Sequence, residues 1–290
     1  MTVEAGRPAS GFDPASIAGR FVQARRDAKG LSEFPGGVLP DNLAQAYACQ
    51  DAAIALWPDE IVGWKVGRIP PALQAELGAD RVMGPVFRRN LWIASDEAPT
   101  PLPIIPGGFA AVEAEYIFRM GEDAPAGKTD WTPAEALELV EAELVGVELA
   151  GSPLASINAL GPKAVASDFG NNGGLILGKE IPGWRSLSQD GPVCETWMDG
   201  VLVGRGAPTD IPGTPAASLA FLLATAAARG RPLKRGHLVT TGAATGIHDI
   251  EVRQAARIRF TGVDEISCYG QAALPVGDLG GNQLEHEPAP

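Results

Sequence analysis

Residues 112–118 read VEAEYIF. Val112, Ala114, Tyr116 and Phe118 alternate with Glu113, Glu115 and Ile117, the period of two expected of a β-strand with one face in a core. The other face must then carry two carboxylates and an isoleucine. Side chains two apart on a strand are neighbours. Glu113 and Glu115 therefore repel each other unless one keeps a proton or a cation lies between them. The pattern leaves two readings open: a solvent-facing strand with ordinary glutamates, or part of a divalent-ion site. Carboxylate oxygens suit Mg²⁺ or Mn²⁺, and a site with few protein ligands leaves positions for a substrate. Such a site needs a third ligand. Glu148, in LVGVELAG (144–151), is the best placed, because a lone charge in so apolar a strand is otherwise costly.

Around this stretch the chain divides by pattern. Residues 1–12 and 280–290 are poor in apolar residues and are expected to be mobile ends. Residues 13–80 are expected to form a helical flank. DPASIAGRFVQARRD (13–27) has helical spacing behind an Asp13 cap, and PDNLAQAYACQDAAIALW (40–57) places Leu43, Tyr47, Ala48, Ile54 and Leu56 on one stripe, capped by Asp41 or Asn42. WKVG (64–67) is short and extended, and PPALQAEL (70–77) opens a short helix on prolines. From 81 to 279 strands dominate. VMGPVF, LWIA, VEAEYIF, LVGVELAG and GGLILG all read as strands, CETWMDGVLVGRG (194–206) as a hairpin turning at Asp199-Gly200, and HLVTTG and RIRFTGVDEISC as closing strands. Helices are expected over 133–144 and 215–230. Strands that outnumber helices without regular βα alternation point to an α+β protein, a mixed β-sheet roll with a helical N-terminal flank.

Composition narrows the partners. The net charge of −12 and the absence of a basic run argue against nucleic acid and anionic membranes, though a small anionic substrate can still meet a locally positive pocket. Three widely spaced cysteines, Cys49, Cys194 and Cys268, provide neither a disulfide framework nor a zinc spacing. No signal peptide or membrane-length apolar run is apparent, so a cytoplasmic protein is expected.

Several short motifs, in this order and at these separations, resemble the 2-keto-4-pentenoate hydratase and 4-oxalocrotonate decarboxylase group of the fumarylacetoacetate hydrolase superfamily. They are AYACQ (46–50), GWKVG (63–67), VEAE (112–115), VELAGS (147–152), ASDFGNNGGLILG (166–178) and RGRPLKRGHLVTTGAATG (229–246), within a likeness running from about residue 43 to 270. The resemblance implies a mixed β roll, often homo-oligomeric, that binds Mg²⁺ or Mn²⁺ through Glu113, Glu115 and Glu148 and uses Lys65 in catalysis. The chain departs from the pattern at His237, where the family usually has Asp, at Phe169, where hydratases often have Asn, and at Val82, where some hydratases carry an acid. The family's Gly-Asp before the ARIRF strand is also missing.

In that chemistry a 2-oxo acid chelates the ion, which stabilises the enolate formed on the 2-oxo oxygen. A hydratase first ketonises a 2-hydroxy-2,4-dienoate, then adds water to the resulting 2-oxo-enoate. Lys65 is the expected proton-transfer group, with a pKa lowered by partial desolvation near a metal. Asp168 is expected to orient water or Lys65. Thr240, Thr241 and Gly242 offer hydroxyl and N–H donors for the substrate carboxylate. Arg68, Arg88 and Arg89 are sources of positive charge. The superfamily's hydrolases generally pair His with Glu, and no histidine precedes the metal motif here, which favours a lyase. Three alternatives stay open: a decarboxylase of the 4-oxalocrotonate type, a non-catalytic partner subunit, and an acylpyruvate hydrolase.

Overall fold

The computed structural model describes residues 12–187 and 191–276; the expected mobile ends fall almost wholly outside these. The chain begins with α1 (Pro14–Arg26) and α2 (Leu43–Leu56). Asp13 caps α1 by accepting from Ala15 N, and Asn42, not Asp41, caps α2 by accepting from Gln45 N. The buried face of α2 is Ala46, Cys49, Gln50 and Ala53, whereas Ala48 and Leu56 are exposed. The helix is apolar nearly all round, so periodicity alone could not choose its inner face.

The path continues through β1 (Ile61–Arg68), α3 (Pro71–Leu77), β2 (Arg81–Phe87), β3 (Leu91–Ile93), β4 (Thr100–Ile104) and β5 (Phe109–Met120). Next come α4 (Pro133–Glu138), β6 (Val140–Ser152), α5 (Ile157–Leu160), α6 (Pro162–Ser167) and β7 (Asn172–Glu180). The hairpin β8 (Cys194–Met198) and β9 (Val201–Gly206) turns at Asp199 and Gly200, both at positive φ. Last are α7 (Thr214–Ala228), β10 (Leu238–Thr240), β11 (His248–Asp249), β12 (Ala255–Phe260) and β13 (Asp264–Ala272).

One sheet runs β2-β1-β10-β5-β6-β7-β3, with β11 added against β5; the other runs β4-β13-β12-β8-β9. Both are mixed, since β1–β10, β3–β7 and β4–β13 are parallel pairs in otherwise antiparallel ladders. The architecture is the α+β roll expected. Two expectations need correction. The helix expected over 133–144 stops at Glu138, because β5 reaches Met120 and pairs it with Val140, drawing residues 140–144 into β6. The division at residue 80 also fails, since β1 lies inside the larger sheet between β2 and β10.

The two faces of β5 answer the question posed by VEAEYIF. Val112, Ala114 and Tyr116 point into the main core between the sheets, against Val145, Val147, Ile258 and Phe260. On the other face, Ile117 joins Val62, Val86, Leu144, Leu175 and Leu238 in a separate apolar cluster. Gly146 makes room for it, since a Cβ there would lie 2.3 Å from Ile117 Cδ1. The glutamates and Ile117 thus face a chamber closed by apolar packing at one end. Helix α7 lies on Trp64, Val66, Phe118 and Val239. Among the described residues no helix is long and apolar enough to cross a membrane.

Candidate active site

In the β5–β6 ladder Glu113 stands directly opposite Glu148, and Glu115 is two residues further along β5. One ligand atom from each of the three carboxylates lies within 4.8 Å of the others. All three are buried, Glu115 and Glu148 completely. Their environment splits the work of solvation. Glu115 Oε2 accepts from Thr241 N at 2.9 Å and Gly242 N at 2.7 Å, while its Oε1 is buried with no partner among the described residues. Glu148 accepts from Asn172 Nδ2 at 3.1 Å and Thr240 Oγ1 at 3.2 Å. Thr240 reaches the site because β10 sits between β1 and β5, in register with Lys65 on one side and Ile117 on the other.

Lys65 is 3% exposed and supplies the cluster's positive charge, with Nζ 3.3 Å from Glu148 Oε1. Nζ also donates to Asn171 Oδ1 at 3.1 Å, and Asn171 in turn donates to Asn158 Oδ1 at 3.0 Å. Burial pulls the lysine pKa down, but the combined charges of Glu148, Glu113 and Glu115 outweigh it, and the ammonium is held above its ordinary value. Burial pushes the Glu113 carboxyl up to about 7, against the pull of Lys65. Glu115 is raised well above the usual carboxylate range by burial and by the charges of Glu148 and Glu113.

Three carboxylates against one ammonium leave a formal deficit of two positive charges. A buried carboxylate oxygen without a donor, all-oxygen ligands and that deficit together fit a hard divalent cation. Glu113, Glu115 and Glu148 would be its protein ligands.

The Asp168 expectation is revised. Its carboxylate accepts from Arg25 Nε at 2.7 Å, Arg25 Nη2 at 2.9 Å and Ser152 Oγ at 2.7 Å. It therefore ties α1 to the loop after α6, and Asn171, not Asp168, meets Lys65. That loop is strained: Phe169, Gly170 and Asn171 have φ of +50°, +64° and +53°. Such residues at non-glycine positions cost roughly 1–3 kcal/mol each and persist only where packing holds them. Here the Phe169 ring packs edge-on against Phe87 and Trp57, and Gly84 lies so close that a Cβ on it would sit 1.9 Å from the Phe169 carbonyl oxygen. The expected substrate-carboxylate donors are also revised. The N–H groups of Thr241 and Gly242 and the Thr240 hydroxyl serve the glutamates, and the Thr241 hydroxyl donates to Tyr116 O. Arg88 and Arg89 pair with Glu60 and Asp59 at the surface. His248 contacts Thr245 O. The sequence reading passed over Asn171, Asn158, Asn172 and Arg25. The only available signal was the paired asparagine after Gly170 in DFGNN.

Lys65 and Glu113 open onto a cleft of about 630 Å³, lined further out by Arg68, Arg81, Asn158 and Ile247. A closed, charged floor beneath a cavity of small-ligand size is the usual form of an enzyme site.

No protein-family model matches the chain. The chain is 31% identical over 230 residues to the 2-keto-4-pentenoate hydratase of Paraburkholderia xenovorans (strain LB400), covering 77% of this chain and 82% of that one. Among solved structures it is similar to a 4-oxalocrotonate decarboxylase from Pseudomonas putida G7 complexed with magnesium and adipate, with a TM-score of 0.76 and 18% identity over 91% of this chain and 100% of the other. A fumarylpyruvate hydrolase from Pseudomonas aeruginosa in complex with Mn²⁺ and pyruvate aligns with a TM-score of 0.52 and 18% identity, over 74% of this chain and 91% of the other. At these identities the solved structures speak to the fold.

Proposed function

Because the chain belongs to the 2-keto-4-pentenoate hydratase family, within the fumarylacetoacetate hydrolase superfamily, we propose that it adds water to a 2-hydroxy-2,4-dienoate, or the 2-oxo-enoate derived from it, in a divalent-metal-dependent reaction. It is an enzyme, a carbon–oxygen lyase of the hydratase type. The observation that carries the finer reading is the single ammonium of Lys65 set against three buried carboxylates at the floor of the cleft. Mg²⁺ or Mn²⁺ held by Glu113, Glu115 and Glu148 would supply Lewis-acid polarisation of the 2-oxo oxygen.

The protein's own groups divide the remaining work. Lys65, set against the three carboxylates, enters as the acid. It donates a proton to carbon 5 of the dienol and recovers the proton of the 2-hydroxyl group, giving the conjugated 2-oxo-enoate. In the second half it donates at carbon 3 while water adds at carbon 4, and the second water proton returns to the amine. The sum is one water added, with no other reactant. Asn171 fixes the direction of the Lys65 N–H groups. Thr240, Thr241 and Gly242 hold Glu148 and Glu115 in place, and the apolar cluster around Ile117 excludes bulk water behind them.

The test is an assay of purified protein with Mg²⁺ on 2-hydroxypenta-2,4-dienoate, following loss of dienoate absorbance and formation of 4-hydroxy-2-oxopentanoate. CO₂ release from 4-oxalocrotonate is measured in parallel. Water addition without CO₂ is the expected result. CO₂ release without water addition would move the chain to the decarboxylases.

A further inference from the structure

We infer that the outer part of the cleft holds a second carboxylate, so that the preferred substrate is a 2-hydroxydienoate carrying an anionic group at the end remote from its 2-hydroxy acid. This refinement rests on the hydratase reading above. Its basis is a pair of arginines. Arg68 at the end of β1 and Arg81 at the start of β2 are direct partners in the antiparallel ladder, and both line the cleft that Lys65 and Glu113 floor. Like charges placed directly across two strands are destabilising, so the arrangement calls for counter-charge.

The structure balances one arginine but not the other. Arg81 is 8% exposed and firmly seated. Its guanidinium pairs with Asp80, donates to Pro212 O, and donates from Nε to Ser218 Oγ at 3.2 Å. Five N–H donors are available on a guanidinium, so donors remain for a ligand. Arg68 is exposed and, among the described residues, makes no ion pair or side-chain hydrogen bond. Asp210, the other acid on this part of the lining, accepts from Ala207 N and pairs with neither arginine. One rigid guanidinium beside one free to move, in a protein of net charge −12, is a local positive seat in an otherwise negative surface. Its planar donor fork suits a carboxylate.

The spacing matches a short diacid. Lys65 pairs with Gly84 and Arg68 with Arg81, so the two sets lie three residues apart on both strands. At about 3.3 Å per residue this is roughly 10 Å along the strands, a span that an extended diacid and the long, unpaired Arg68 side chain can bridge together. The two sets lie on opposite faces of β1, and the cleft passes round its end at Gly67. No side chain stands there: a Cβ on Gly67 would lie 3.4 Å from Lys65 Nζ.

The experiment compares kcat/KM of the Mg²⁺-loaded full-length protein for 2-hydroxypenta-2,4-dienoate and for 2-hydroxyhepta-2,4-diene-1,7-dioate, in wild type, Arg68→Leu and Arg68→Lys. A charge-assisted contact predicts that wild type favours the diacid and that Arg68→Leu lowers the diacid-to-monoacid ratio by about 10- to 100-fold, mainly through KM. Arg68→Lys recovers part of the ratio. A wild type without diacid preference, or a ratio unmoved in Arg68→Leu, overturns the second-carboxylate seat while leaving the hydratase reading standing. No water addition to either compound overturns both.

Discussion

Lys65 occupies a position that only its neighbours make tolerable: an ammonium almost without solvent, 3.3 Å from one carboxylate and 3.1 Å from an amide oxygen. Two substitutions separate its roles from those of the acids. Lys65→Ala should still bind Mn²⁺, read by calorimetry, while kcat falls roughly 10²- to 10⁴-fold, the usual loss for a proton-transfer group. Glu113→Gln should lose both. Turnover within a factor of a few of wild type in Lys65→Ala would remove that residue from the chemistry. For Asn171, whose amide aims the lysine, Asn171→Ala should lower kcat by about tenfold with little change in KM, since one hydrogen bond is lost; Asn171→Asp should not restore it, because a further carboxylate would draw the ammonium away. The acids could be read in the sequence because each violates a local rule: paired carboxylates on one strand face, a glutamate in an apolar strand; Lys65 was legible through the resemblance of GWKVG and its apolar flanks. Asn171 violates none. Its importance comes from a left-handed backbone that only the packing of Phe169 and Gly84 enforces, and asparagine in a loop is ordinary.

The strand pair β5–β6 carries the site, and its register is the element that matters. Glu113 opposes Glu148 only because the ladder runs unbroken from Phe109–Ser152 to Arg119–Ala142, and a slip of one residue would turn every glutamate into the core. The two acid-bearing strands were legible in the sequence, though not the register between them. Nor was the extent of β6, since residues 133–144 have strong helical propensity and only the partner strand overrides it. Glu143, on the same strand, gives a pH test. Burial pushes its carboxyl up to about 7, against about 4.3 in an unfolded chain. The folded state therefore holds its proton more tightly, and the stability from this group is full below about pH 4.3 and lost as pH rises through about 7. Glu143→Gln, measured beside wild type by urea denaturation at several pH values, should remove that decline, up to roughly 3–4 kcal/mol. Parallel curves for the two proteins would assign the pH dependence elsewhere. Gly84→Ala should be far more harmful than its size suggests, because the added carbon meets backbone; the loop carrying Asn171 has to shift, and turnover should fall more than stability.

At the scale of the whole molecule, the acid chamber is a destabilising feature that a bound cation would relieve. Adding Mn²⁺ at about one hundred times its Kd should stabilise the fold by about 2.7 kcal/mol, seen as a rise in Tm. The rise should be larger at pH 8 than at pH 6, since Glu113 sheds its proton through about 7. Glu115→Gln should abolish the effect. The sheet order that builds this chamber lay beyond reading from sequence. It depends on β1 joining β10 in parallel, with Lys65 paired to Thr240 about 175 residues further along the chain, a contact that no local pattern encodes. The helical flank looked separate for the same reason. Ile117 and its lodging over Gly146 form a rear bulkhead. Shaving that side chain to alanine would leave every reacting group in place yet hollow out the wall behind the acids, so the keel of the site should soften and Tm fall, by the equivalent of about 2–5 kcal/mol.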